Sequence, residues 1–279
     1  MGFQERNGLQ YYQFDLFKGY PLFHAVLTRQ GGFSKSPYTS LNTGGTVGDV
    51  PKVVLANHRK IYETFDYPFD SRFDVWQVHG NKVVCTDVPK DENAPHIMAD
   101  GILTDNANVT LMMRFADCVP ILLYDPVHQV IGIAHAGWQG TYKQVARAAV
   151  EKMMGCYGSR PKDILAGIGP SICQACYEVG QEPLNAFTEA FGETQAKRYF
   201  REQGGRLYLD LWTPNQDILR SAGVENIEIS GICTAEHLGN WFSHRAEGGK
   251  TGRFAVLMAL GDNRSRRNNK WIGELFQSE

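Results

Sequence analysis

Residues 109–138, VTLMMRFADCVPILLYDPVHQVIGIAHAGW, read as three strands in close succession. The runs 109–115, 119–124 and 130–135 are dominated by Val, Ile, Leu, Met and Phe. Short apolar runs bounded by breakers are the pattern of buried strands. The breakers are Pro120, Asp125-Pro126 and Gly137. Two side chains able to bind metal or attack a carbon, Cys118 and His135, stand at the edges of these runs.

The same pattern extends outward. Towards the N-terminus, residues 99–103 read as a strand and residues 73–86 as a hairpin turning at Gly80-Asn81, with His79 in Gln77-Val-His79-Gly80 beside the turn. Residues 51–65 are expected to be a helix, with Pro51 in the first turn. Residues 22–28 form a buried strand that leads into a long glycine-rich loop reaching Gly48. Towards the C-terminus, residues 140–154 carry apolar side chains at helical spacing. Strands follow at 164–168 and 227–232, helices at 182–191 and 214–222, and a last hairpin pairs 240–245 with 253–260 through Glu247-Gly-Gly-Lys250. Strands outnumber helices, so the expectation is an α/β (α+β) chain with mixed sheets, a single domain over residues 1–279.

Composition narrows the function classes. With 43% hydrophobic and 21% charged residues, the 279-residue chain is globular. Its net charge of −2 carries no long basic run. Arg264-Ser-Arg266-Arg267 reads as a solvated turn or tail, so no nucleic-acid partner is expected. No apolar run is long enough for a membrane helix and the N-terminus has no signal-peptide core, so a cytoplasmic location away from membranes is expected. Six cysteines in such a chain read as thiols or ligands before disulfides.

His79, Cys118 and His135 supply two imidazoles and one thiol, one ligand short of a closed zinc site. Catalytic zinc keeps its fourth position open. Three other readings of the same residues stay open: a packed core cysteine, a Cys118–His135 nucleophile pair, and a zinc-stabilised interaction protein. Cys173 and Cys176 have C-x-x-C spacing without a second pair, which favours a tight turn holding two packed thiols. The loops Thr28-Arg-Gln-Gly-Gly32 and Ser243-His-Arg245 with Thr251-Gly-Arg253 offer guanidinium groups, although no P-loop is present. Asp100, in Ala99-Asp-Gly101, suits either a turn or the orientation of a ligand.

Taken in order, these segments resemble the YlmD/YfiH family of laccase-domain proteins. The carrying residues run from Thr28-Arg-Gln-Gly-Gly-Phe-Ser34 through Ser40-Leu-Asn42, Gln77-Val-His-Gly80, Ala99-Asp-Gly101, Ala116-Asp-Cys118, His135-Ala-Gly-Trp138, Ile168-Gly-Pro170 and Cys176-Tyr-Glu178 to Ser243-His-Arg245 with Thr251-Gly-Arg253. The resemblance implies a four-layer α/β/β/α sandwich and a zinc held by His79, Cys118 and His135, which also become the catalytic residues. Copper is the alternative metal. It further implies phosphorolysis of adenosine, inosine, guanosine and methylthioadenosine, and deamination of adenosine. The partners would be a purine nucleoside and phosphate, with Arg29, Asn42 and Arg245 assigned to substrate or phosphate. Homodimer formation is left open. Other members are described as copper-dependent polyphenol oxidases, and one role assigned is editing of peptidoglycan precursors, here by a hydrolase using Cys118. Eight histidines with no His-x-His pair argue against a multicopper site. The chain departs from the pattern at Gln139, where the family commonly has a basic residue, and at Ser171, where many members have Cys.

Overall fold

The computed structural model describes residues 2–91 and 94–261; the basic stretch 264–267 lies outside them. The chain opens with a hairpin, β1 (Gly2–Arg6) and β2 (Leu9–Gln13), then β3 (Leu22–Leu27) and helix α1 (Pro51–Thr64). The turn residues Asn7 and Gly8 both have positive φ, 49° and 75°. An Asn-Gly pair takes up that conformation readily and directs a two-residue hairpin. Next come β4 (Arg72–Phe73), β5 (Val83–Cys85), β6 (Gly101–Thr104), β7 (Thr110–Phe115), β8 (Val119–Asp125) and β9 (Val130–Ala136). The C-terminal half holds α2 (Trp138–Tyr142), α3 (Val145–Tyr157), β10 (Leu165–Ile168), β11 (Glu178–Val179), α4 (Gln181–Phe191) and α5 (Glu193–Tyr199). It ends with β12 (Phe200–Gln203), β13 (Arg206–Leu209), α6 (Trp212–Ser221), β14 (Asn226–Ile229) and β15 (Phe254–Leu260).

Two six-stranded mixed sheets carry the architecture, in the orders β1-β2-β3-β15-β7-β4 and β14-β10-β8-β9-β6-β5. Every residue of β8, β9 and β15 is buried. Strands covered on both faces show unbroken apolar runs, which is why these segments stood out in the sequence. One apolar cluster joins Leu111, Met113 and Phe115 of β7 and Val256 of β15 to Leu122, Tyr124 and Ile133 of the other sheet. A second sets the opposite faces of β8 and β9 against α3 and α6, and a third sets Met112 and Leu257 against Ile61 and Tyr62 of α1.

Three expectations need correction. Residues 73–86 do not form a hairpin: β4 pairs with β7 in one sheet and β5 with β6 in the other. The intervening chain crosses between the sheets. Gln77 makes this possible by exchanging two hydrogen bonds with the backbone of Arg114, N–H to Oε1 at 3.0 Å and Nε2 to carbonyl at 2.8 Å. The helix expected at 140–154 breaks at Gln144, whose φ is 59°. Asn81 holds that break through the Lys143 carbonyl at 2.9 Å. Residues 240–245 are irregular loop and turn instead of a strand. Their loop is organised around the Glu247 carboxylate, which accepts from Ser243 N–H at 3.0 Å and from the Thr251 hydroxyl.

Candidate metal centre

The crossings between sheets build the site. The β4–β5 crossing carries His79, and the three-residue β7–β8 crossing carries Cys118. His135 comes from β9, and the long β14–β15 crossing brings His244 and Arg245. His79 and Asp117 both take positive φ, 58° and 78°. Such values are uncommon for non-glycine residues and must be held by their surroundings. Asp117 is held by the Thr234 hydroxyl at 2.7 Å and the Arg245 N–H at 2.6 Å, and this conformation delivers Cys118 to the site.

The ligand atoms of His79, Cys118 and His135 lie within 4.8 Å of one another. Cys118 Sγ is 3.9 Å from His79 Nε2. Buried Asp100 fixes the other two residues. Its carboxylate accepts from His135 Nδ1 at 2.9 Å and from the backbone N–H groups of His79 at 3.0 Å and Gly80 at 2.6 Å. That partner assigns the Nδ1 proton of His135 and leaves Nε2 as its ligand atom, the carboxylate–histidine pairing usual behind a metal. At Gly137 an added Cβ would lie 2.8 Å from Cys118 Sγ and 3.1 Å from the His79 ring. Only glycine lets the chain pass this close.

The donor set fits zinc. At bond lengths of about 2.3 Å to sulfur and about 2.0 Å to nitrogen, a tetrahedral ion separates the two ligands by roughly 3.5 Å. The Cys118–His79 distance approaches this before any ion draws them together. Electrostatics agree. Burial raises the Cys118 thiol, but the charge and hydrogen bonds of His135 and His79 outweigh it and bring the value down to about 6. Burial lowers His135, and the Cys118 thiolate with Asp100 more than reverses this, to about 9. Asp100 is raised by burial, yet His135 and the surrounding N–H groups leave it below the ordinary carboxylate value.

Two cavities meet at the cluster. The larger, about 530 Å³, is lined by the Gly44–Val47 loop, Trp76, Arg114 and Arg253. The smaller, about 200 Å³, is lined by Trp138, Ile172, Tyr177 and Arg245. His79, Ala116, Cys118 and His244 border both.

Of the residues assigned to substrate or phosphate, Arg245 lines the smaller of these two cavities, and Arg29 and Asn42 line neither. Its guanidinium lies 4.9 Å from the Tyr177 ring centre and donates to the Glu178 carbonyl. Arg29 is engaged by protein groups. It donates to Thr39 O at 2.7 Å, Leu238 O at 3.1 Å and Glu247 Oε1 at 3.0 Å, and it stacks on Phe242 at 4.3 Å. Asn42 is fully buried, and its Oδ1 accepts from Gly44 N–H at 2.9 Å and Arg253 N–H at 2.8 Å. It thereby sets two parts of the larger cavity wall. Arg253 and His244 also line cavity wall, and only the fold distinguishes such side chains from their neighbours in the motifs Thr251-Gly-Arg253 and Ser243-His-Arg245. The buried Ser171 hydroxyl accepts from Trp212 Nε1 at 2.6 Å. Gln139 lines neither cavity.

Residues 23–261 match the family model of the multi-copper polyphenol oxidoreductase laccase domain. The chain belongs to this family, the YlmD/YfiH proteins. It is 39% identical over 241 residues to purine nucleoside phosphorylase YlmD of Bacillus subtilis, covering 84% of this chain and 86% of that protein. It is 37% identical over 238 residues to a purine nucleoside phosphorylase of Deinococcus radiodurans, covering 85% and 88%. The crystal structure of YlmD from Geobacillus stearothermophilus superposes with a TM-score of 0.83 at 32% identity, over 92% of this chain and 98% of that one. The mixed α/β single-domain fold is therefore the family's own. No helix among the described residues is long and apolar enough to cross a membrane.

Proposed function

We propose that the protein is a zinc-dependent purine nucleoside phosphorylase acting on adenosine, inosine, guanosine and methylthioadenosine, and that the same centre deaminates adenosine. The observation that carries this reading is the three-ligand His79–Cys118–His135 cluster, open where two cavities meet. Relatives named purine nucleoside phosphorylase support the substrate class. A zinc ion bound there would supply Lewis acidity and lower the pKa of water at its open position.

The chain's own residues do the rest. A cavity of about 530 Å³ is of a size for a nucleoside, with Trp76 as an apolar wall for the base. The smaller cavity suits phosphate, with Arg245 as its guanidinium partner. Arg253, held beside the junction by the Gly252 carbonyl at 2.9 Å, adds a second positive charge. Phosphorolysis forms a bond from a phosphate oxygen to ribose C1′ as the bond from C1′ to the base breaks. The bonding electron pair leaves with the purine, which then takes up a proton. Burial and the Arg253 charge lower the pKa of His244, so its neutral imidazole can accept a phosphate proton.

The test is direct. Zinc-loaded protein given inosine and phosphate should release hypoxanthine and ribose 1-phosphate, and adenosine alone should release ammonia. A folded, zinc-loaded sample with no phosphate-dependent product rejects the phosphorylase. One observation favours a second reading: the depressed Cys118 thiol beside His135 is also the arrangement of a cysteine nucleophile. Hydrolysis of a peptidoglycan precursor that survives complete metal removal and is lost in Cys118→Ser would replace the zinc reading. Copper is the least favoured metal, and strong visible absorption on copper loading would reverse that order.

A further inference from the structure

We propose a second metal site, a closed structural zinc held by Cys173, Cys176, Cys233 and Glu236. The four ligand atoms lie within 4.8 Å of one another, and none of these side chains lines either cavity. Counting cysteines along the chain left Cys173 and Cys176 without a second pair. The fold supplies the missing ligands from 57 and more residues away. Ser171 and Cys233 form an isolated parallel bridge, with Ser171 N–H on Ile232 O at 3.2 Å and Thr234 N–H on Ser171 O at 3.1 Å. The short turn Gln174–Cys176 then folds Cys176 back, with its N–H on Cys173 O at 3.2 Å.

Three observations point to a metal instead of packed thiols. The Glu236 carboxylate oxygen stands 3.6 Å from Cys173 Sγ and 3.7 Å from Cys176 Sγ. A tetrahedral zinc with bonds of about 2.3 Å to sulfur and about 2.1 Å to oxygen would set that edge at about 3.6 Å. Cys233 Sγ accepts the Cys173 N–H at 3.3 Å, a backbone-to-sulfur contact that orients the sulfur toward the other three ligand atoms. All three thiols are free, and one carboxylate faces two of them, which serves a shared cation and not a disulfide. Binding expels the thiol protons to solvent, so occupancy should rise with pH.

The site lies where a clamp is useful. Tyr177, next to Cys176, and Ile172 wall the smaller cavity. Thr234, next to Cys233, holds Asp117 and through it Cys118. A zinc here ties both walls of the open centre together without touching substrate.

Metal counting tests it on the full chain, purified under reducing conditions, zinc-loaded and desalted. Wild type should hold two zinc ions, and Cys118→Ser should keep one. Cys233→Ser should also keep one. Glu236→Gln retains the three thiols and should fold, with affinity for the second zinc weakened at least about tenfold. In the Cys118→Ser background, cobalt substitution should still give strong thiolate charge-transfer absorption. A single zinc that Cys118→Ser removes entirely overturns the proposal, as does a Cys173–Cys176 disulfide in peptide maps of the purified protein. Failure of the phosphorylase assay would leave this count unchanged.

Discussion

Two clusters of sulfur and nitrogen or oxygen ligands lie on the same fold, and they differ in what surrounds them. His79, Cys118 and His135 offer three ligands, with Asp100 behind them and a cavity on either side. Cys173, Cys176, Cys233 and Glu236 offer four, outside both cavities. Three ligands beside open space are the arrangement of a reacting metal, and four ligands away from it are the arrangement of a staple. The contrast also has a topological root. The open cluster draws on the β4–β5 and β7–β8 crossings and on strand β9, whereas the closed one joins a turn after β10 to the start of the β14–β15 crossing.

The sharpest way to break this comparison is to exchange a thiol in each cluster. Cys118→Ser should lower kcat/KM at least about a hundredfold with little change in melting temperature. Cys233→Ser should do the reverse, with a lower melting temperature and near-normal kcat per folded molecule. Equal losses of kcat from both, at unchanged melting temperature, would erase the distinction. A smaller effect is expected from Gly137→Ala. Its methyl group meets Cys118 Sγ at 2.8 Å, with backbone that cannot easily withdraw. Metal affinity at the open centre should drop on the order of tenfold while the other zinc stays bound. Normal zinc affinity at both sites would show that Cys118 has more room than its contacts imply.

Asp100→Asn sharpens the comparison through pH. In the metal-free protein Cys118 should be alkylated at a rate that falls as pH drops through about 6, because the thiolate is lost there. The Asp100 carboxylate helps keep His135 protonated, and His135 keeps Cys118 ionised. Removing that charge should move the inflection to higher pH and weaken the open site roughly tenfold to a hundredfold. An unmoved inflection would mean that Asp100 only orients the ring. The closed cluster has no comparable carboxylate–imidazole pair among its ligands, so its metal content should be indifferent to this change.

The sequence exposed the open cluster far better than the closed one, for physical reasons. Cys118 and His135 flank runs that are apolar because both faces of the sheet are covered, so their positions were legible. His79 was legible as a residue but not as a crossing, because Gln77 imitates a strand partner with its side chain. Asn7-Gly8 is a local hairpin signal for β1 and β2, carried by two residues that accept positive φ. The closed cluster left almost no local trace. Its ligands meet through the Ser171–Cys233 bridge, and no spacing rule along the chain encodes that contact. Trp241 and Phe242 suggest a strand through apolar character alone, and burial in an irregular loop satisfies them equally well.

The smallest effect on catalysis is expected from Arg29, and it decides whether loop support and substrate contact are separable beside the open centre. Its guanidinium is about nine-tenths covered, 11% exposed, and pairs with Glu247 at 3.0 Å. The same carboxylate gathers Ser243 and Thr251, which frame His244 and Arg245. Arg29→Lys keeps the charge but loses the fork that reaches Thr39, Leu238 and Glu247 together. The resulting loss of stability should be about 2 kcal/mol, below that of a fully buried broken pair because both partners retain some solvent. KM for nucleoside and phosphate should rise together by a few-fold, because a loosened loop displaces His244 at the border of both cavities. A selective rise in the phosphate KM with unchanged melting temperature would instead make Arg29 an anion contact. The loop after β14 would then have to open to admit phosphate behind Phe242, on which Arg29 now stacks.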